Sequence, residues 1–137
     1  MISNRTCTVL AEAAMEAMNN AYAPYSGMKV GAALLTKSGE VITGCNVENS
    51  AYSPTCCAER VAIFKAISEG HREFLGIAIA GGRDGKITDV YPPCGVCRQV
   101  MAEFCDPEKF EVIMVMPDQY EILPLSHLLP YRFGYEL

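Results

Sequence analysis

Two short stretches decide how this chain reads: Thr55-Cys56-Cys57-Ala58-Glu59-Arg60 and Pro92-Pro93-Cys94-Gly95-Val96-Cys97-Arg98-Gln99. Each opens a segment of helical pattern. After the first, Ala58, Val61, Ile63, Phe64 and Ile67 line a broad apolar face that Gly70 ends, predicting a helix over about residues 56–69 with Glu59 in its first turn. After the second, a helix is expected from Gly95 to about Phe104. Cys94 and Cys97 are three positions apart, so one helical turn puts both sulfurs on the same side, where they can share a tetrahedral metal. Alone, that pair reads equally as a metal site, a redox dithiol or two packed thiols. A redox dithiol belongs after a strand in a thioredoxin-like βαβ unit and has no use for Cys57-Ala58-Glu59 at a second helix start. The joint pattern favours zinc, which suits sulfur. Three protein ligands leave the fourth position open for water, as in a catalytic rather than a structural site.

Working outward, Val9, Leu10, Ala13, Ala14, Ala17, Met18 and Ala21 recur at spacings of three and four, predicting an amphipathic helix from Thr6 to Tyr22, before Pro24. Lys29 to Thr36, the turn Lys37-Ser38-Gly39-Glu40 and Val41-Ile42-Thr43 read as a β-hairpin. Phe74 to Ala80 reads as a buried strand closed by Gly81-Gly82, with a polar loop leading to Pro92. Phe110 to Met116 and Tyr120 to Leu123 read as two more strands, and Ser126 to Leu129 as a closing helical turn. Helices returning between the later strands imply a layered α/β domain, expected to span residues 1–137 as one unit.

Of the 137 residues, 50% are hydrophobic and 20% charged, which excludes a disordered chain. The net charge of −5 disfavours a surface that tracks phosphates, so no nucleic-acid partner is expected. No apolar run has the length of a membrane span or the form of an export signal, and no membrane association is expected. Seven cysteines cannot all pair with one another, and a chain of this size buries a core without disulfides; reduced thiols in a cytoplasmic protein are the expectation.

The two cysteine stretches match the signature of zinc-dependent nucleoside and nucleobase deaminases. Further segments extend the match: Pro24-Tyr25-Ser26, Val30-Gly31-Ala32-Ala33-Leu34-Leu35, Gly44-Cys45-Asn46-Val47-Glu48-Asn49 and Cys97-Arg98-Gln99-Val100. From about Tyr22 to Phe133 the chain resembles the small, homotetrameric cytidine deaminases. That resemblance implies a three-layer α/β/α fold with a central five-stranded mixed sheet. It also implies hydrolysis of cytidine and 2′-deoxycytidine to uridine, deoxyuridine and ammonia, as in pyrimidine salvage. By the same resemblance Cys57, Cys94 and Cys97 bind Zn2+, and Glu59 shuttles the proton. Asn46 and Glu48 bind the ribose, Ala58 and Met28 line the substrate pocket, and Phe133 reaches into a neighbouring subunit of a tetramer with shared active sites.

The residues themselves speak to these roles. Predicted helix starts favour thiolates through the helix dipole and free N–H groups. Three thiolates on Zn2+ carry a net −1, so a cation must compensate, and Arg60 and Arg98 are expected to donate to the sulfurs. Asn46 and Glu48 lie two apart beside a strand end and point the same way, offering an amide and a carboxylate to sugar hydroxyls; capping a turn is the alternative for Asn46. Met28 stands where the family commonly has Phe. Cys7, Cys45, Cys56 and Cys105 read as packing or incidental thiols, Cys56 being the competitor to Cys57. Tyr131, Phe133 and Tyr135 form an aromatic cluster suited to an interface. The rival readings are a deaminase of another aminated heterocycle, such as blasticidin S or a tRNA base, and a structural zinc module. The latter needs a fourth ligand, and neither His71 nor His127 lies near the cysteines in sequence.

Overall fold

A computed structural model describes residues 1–135. The chain runs α1 (Asn4–Ala17), a 3₁₀ turn (Met18–Asn20), β1 (Met28–Thr36), β2 (Val41–Cys45), α2 (Ala58–Ser68), β3 (Phe74–Arg83), α3 (Gly95–Phe104), β4 (Glu111–Val115), β5 (Tyr120–Pro124) and α4 (Leu125–Leu128). The five strands form one sheet in the order β2-β1-β3-β4-β5. Only β3 and β4 are parallel; the loop and α3 cross between them, whereas β1–β2 and β4–β5 are hairpins.

Both faces of the sheet are covered. On one side α1, started by the Ser3 side chain accepting from the Thr6 amide, buries Cys7, Leu10, Ala11 and Ala14 on Ala33, Leu35, Ala78, Ala80, Ile113 and Val115. On the other, α2 and α3 cover Ala32, Leu34, Ile77, Ile79, Val112 and Met114. Side chains such as Leu10, Leu34, Ile63 and Ile77 are fully buried, each contributing about 1.5–3 kcal/mol. Two glycines let the helices sit this close. A Cβ on Gly31 would meet the Ala14 carbonyl oxygen at 2.0 Å, and one on Gly44 would meet that of Ala58 at 2.5 Å. Gly44 therefore sets how closely the first turn of α2 approaches the sheet.

Several boundaries differ from the sequence expectation, three of them for reasons visible in the packing. α1 gives way after Ala17 to a 3₁₀ turn rather than continuing to Tyr22. α2 starts at Ala58 because Cys57 is its extended N-cap and Cys56 bridges Val47. β3 does not stop at Ala80: Gly81 and Gly82 pair with Val30 and Lys29 of β1. Here glycine provides clearance, since a Cβ on Gly81 would strike the Tyr91 ring at 2.8 Å and one on Gly82 the Lys86 carbonyl oxygen at 1.9 Å. Among the described residues no helix is long and apolar enough to cross a membrane.

Candidate metal centre and active site

The N-termini of α2 and α3 meet. Cys57 is the N-cap of α2, Cys94 the N-cap of α3, and Cys97 follows within the first turn of α3. Their sulfurs lie within 4.8 Å of one another, with Cys57 Sγ and Cys94 Sγ 3.9 Å apart. Tetrahedral thiolate sites with metal–sulfur bonds of about 2.3 Å hold their sulfurs about 3.8 Å apart, so the three fit one zinc ion. Among the described residues no other group of three or more His, Cys, Asp or Glu converges in this way. Cys97 is fully buried, Cys57 half-buried and Cys94 exposed. Cys56 lies in the same cavity wall but outside the thiol group.

Charge around the thiols is uneven. Arg60, one turn along α2, donates from Nη2 to Cys57 Sγ at 3.3 Å. The hydrogen bond from Cys97 and then this guanidinium hold the Cys57 thiol well below the ordinary range, while the bond to Cys57 and burial push Cys97 up. Arg98 does not approach the sulfurs, contrary to the sequence expectation. Its Nε donates to the Pro93 carbonyl at 2.8 Å and its Nη1 to that of Leu128 at 2.7 Å. Charge compensation at the sulfurs comes from Arg60.

Glu59 is 3% exposed in the first turn of α2, and burial, reinforced by the charge of Cys57, pushes its carboxyl up to about 7. It borders a cavity of about 470 Å³ together with Cys57 and Cys94, and Ala58 and Met28 line the same space. That volume suits a small organic molecule. A larger groove of about 630 Å³ runs past Ile2, Leu75 and Glu111, but the thiols and Glu59 are not there.

Elsewhere on the cavity wall stand Asn46 and Glu48. The Asn46 amide ties β2 to β1, its Oδ1 accepting from the Val30 amide at 2.9 Å and its Nδ2 donating to the Met28 carbonyl at 2.7 Å. One N–H of the amide remains for a ligand. Glu48 Oε1 accepts from the amides of Tyr25 and Ser26 at 2.9 and 3.1 Å, and Oε2 accepts from the Ser26 hydroxyl. These donors, the Ser26 hydroxyl foremost, hold the carboxyl below its usual range. Phe133 lies outside this cavity, 68% exposed, edge-to-face with Tyr135 at 5.4 Å, its carbonyl accepting from Gln99 Nε2 at 2.9 Å.

Among the wall residues that the sequence analysis gives no role, two stand out. Ser26, in the Pro-Tyr-Ser segment, is the anchor of Glu48, and Tyr91, from the 83–91 loop, packs over Gly81 and faces the cavity. A Gly-Gly pair inside a strand beside an aromatic-Pro-Pro stretch was the signal for the second.

Helices on both faces of a mixed sheet, with three converging thiols and a buried carboxylate beside one cavity, define a metal-dependent hydrolytic site. A family profile described as "Cytidine and deoxycytidylate deaminase zinc-binding region" matches residues 5–114. The chain is 45% identical over 121 residues, 88% of its length and 86% of the relative's, to a cytidine deaminase of Sporosarcina psychrophila. It is 47% identical over 127 residues, 91% of its length and 82% of the relative's, to a probable cytidine deaminase of Dictyostelium discoideum. Its fold superposes on the crystal structure of cytidine deaminase from Burkholderia pseudomallei with a TM-score of 0.85 at 42% identity, covering 96% of this chain and 100% of that one. The chain belongs to the cytidine and deoxycytidylate deaminase family, and zinc is the metal of its site.

Proposed function

We propose that this chain hydrolyses the exocyclic amine of cytidine and 2′-deoxycytidine, giving uridine or deoxyuridine and ammonia, as a cytoplasmic, homotetrameric enzyme of pyrimidine salvage. The observation that carries the reading is Glu59, buried at the foot of a nucleoside-sized cavity beside three thiols that fit one zinc. Cys57, Cys94 and Cys97 would hold the zinc, which when bound would supply the Lewis acidity that activates water for attack at C4 of the pyrimidine.

The remaining chemistry belongs to the chain. Glu59, with a carboxyl titrating near 7, takes a proton from the attacking water, delivers it to ring N3 and then assists departure of ammonia. A group titrating near the working pH both accepts and returns a proton at low cost. Arg60 offsets the excess negative charge of the thiolates. Glu48, kept ionised, accepts hydrogen bonds from ribose hydroxyls, Asn46 offers its remaining N–H, and Met28 and Ala58 pack against the nucleoside. An ionised Glu48 also repels a 3′-phosphate, which favours the free nucleoside over a polynucleotide. Phe133, exposed with Tyr131 and Tyr135 on the closing segment, completes a neighbouring subunit's pocket.

The test is a metal assay joined to a turnover assay on cytidine. One zinc per chain with release of uridine and ammonia is expected. Stoichiometric zinc without turnover of cytidine or deoxycytidine would remove the reading in favour of another heterocycle or a structural site.

A further inference from the structure

The position of Arg98 raises the question of what its guanidinium does if it does not neutralise thiolates. Both of its acceptors are backbone carbonyls, Pro93 at 2.8 Å and Leu128 at 2.7 Å, and its own amide bonds the Cys94 carbonyl at 3.0 Å. Pro92 and Pro93 have no N–H, so hydrogen bonds can hold this approach to Cys94 only through its carbonyls. Among the described residues, Arg98 is the one donor to a carbonyl of residues 90–93.

The three thiols differ in how the fold secures them. Cys97 is fully buried and Cys57 caps a helix packed on β2, whereas Cys94 is exposed. The buried Pro93 ring fixes the position of the chain before Cys94, but ring packing does not fix the tilt of the Pro93–Cys94 peptide plane. A hydrogen bond to that carbonyl does. The tilt sets φ of Cys94, −67°, which with a ψ of 167° gives the extended N-cap backbone in which its sulfur accepts from the Cys97 amide and lies beside Cys57. The other end of the clamp is the Leu128 carbonyl at the last residue of α4, one of the helix-end acceptors left without an intrahelical donor. The neighbouring Gln99 reaches the Phe133 carbonyl, so α3 grips the closing segment at two places.

We propose that Arg98 is a positioning residue for the metal centre, clamping the Pro93–Cys94 peptide to the C-terminal segment so that the exposed thiol of Cys94 stays in ligand geometry. This rests on the reading of Cys94 as a zinc ligand. It also ties the closing segment that carries Phe133 to the geometry of the site.

The experiment is zinc retention by the purified holoenzyme against the chromophoric chelator 4-(2-pyridylazo)resorcinol. Removing a partner that orients a ligand typically weakens metal affinity about 10–100-fold, and Arg98→Ala is expected to do so. Arg98→Lys, whose ammonium reaches one carbonyl at a time, should retain zinc to an intermediate degree. Millimolar guanidinium should restore retention in Arg98→Ala, while equal urea should not and Cys94→Ala should respond to neither. Zinc held by Arg98→Ala as tightly as by the unaltered chain would overturn the proposal. So would a loss that neither lysine nor guanidinium recovers, which marks general damage to the fold. An unaltered chain that binds no zinc would instead refute the reading of the site itself.

Discussion

Arg60 Nη2 lies 3.3 Å from Cys57 Sγ, joining a cation and a thiol three positions apart on the first turn of α2. Glu59 stands between them in sequence, and Arg60 is among the charges that hold its carboxyl down against burial. Arg60→Gln therefore raises the Glu59 pKa above about 7 and moves the acid limb of the kcat profile to higher pH. The expected loss of kcat at pH 7 is about 10–100-fold with zinc retained. A pH–rate series with metal analysis checks both, and an unmoved profile would remove Arg60 from the electrostatics of the site.

The hydroxyl of Ser26 accepts from the Met28 amide at 3.0 Å, so its own proton is committed to Glu48. Glu48 thus stays an acceptor to lower pH than an ordinary carboxylate. Ser26→Ala removes the largest cause of that depression, and protonation of Glu48 then sets in at higher pH. KM for cytidine should rise most at the acid end of the working range and approach that of the unaltered enzyme above neutrality. A KM increase uniform across pH would mean that Ser26 shapes the pocket without acting on Glu48.

Gly44 meets backbone atoms of α2, the Ala58 carbonyl oxygen at 2.5 Å and the Ala62 amide nitrogen at 2.6 Å from an added Cβ. Backbone cannot step aside as a flexible side chain does. Gly44→Ala should cost about 1–3 kcal/mol in denaturant unfolding and, by lifting the turn that carries Cys57 and Glu59, reduce turnover as well. Unchanged stability would show that α2 is free to shift.

The sequence marked out the elements themselves, because apolar spacing reports which face each helix and strand buries: Leu10 and Ala14 on α1, the continuous run of β1, Ile63 on α2. It also brought out the three thiols, whose residue type and spacing are set by coordination chemistry, and Glu59, which stands out only by its place two residues after Cys57. What it did not reveal are contacts made by backbone. Gly81 and Gly82 read as a turn because glycine marks a turn or a close approach alike, and only the arrival of Tyr91 and Lys86 distinguishes them. Arg98 read as a counter-charge because it follows Cys97, yet its acceptors are carbonyls of Pro93 and Leu128, the latter 30 positions away. Asn46 appeared free for sugar, whereas much of its amide is spent joining β2 to β1.

Phe133 exposes two-thirds of its surface and Tyr131 and Tyr135 still more, an aromatic group that gains by burial against another subunit. Sedimentation is expected to show a tetramer, and Phe133→Ala to raise KM for cytidine more than it alters zinc content. A fully active monomer would contradict the shared-pocket arrangement.

The central claim is that Glu59 moves the proton while the thiols hold the metal, and Glu59→Gln separates the two. The amide keeps the shape and fills the same buried site. Zinc content and cytidine turnover measured on the same preparation should give one zinc per chain and a rate lower by about 10²–10⁴-fold. Near-normal turnover with full zinc would contradict the assignment of the proton to Glu59.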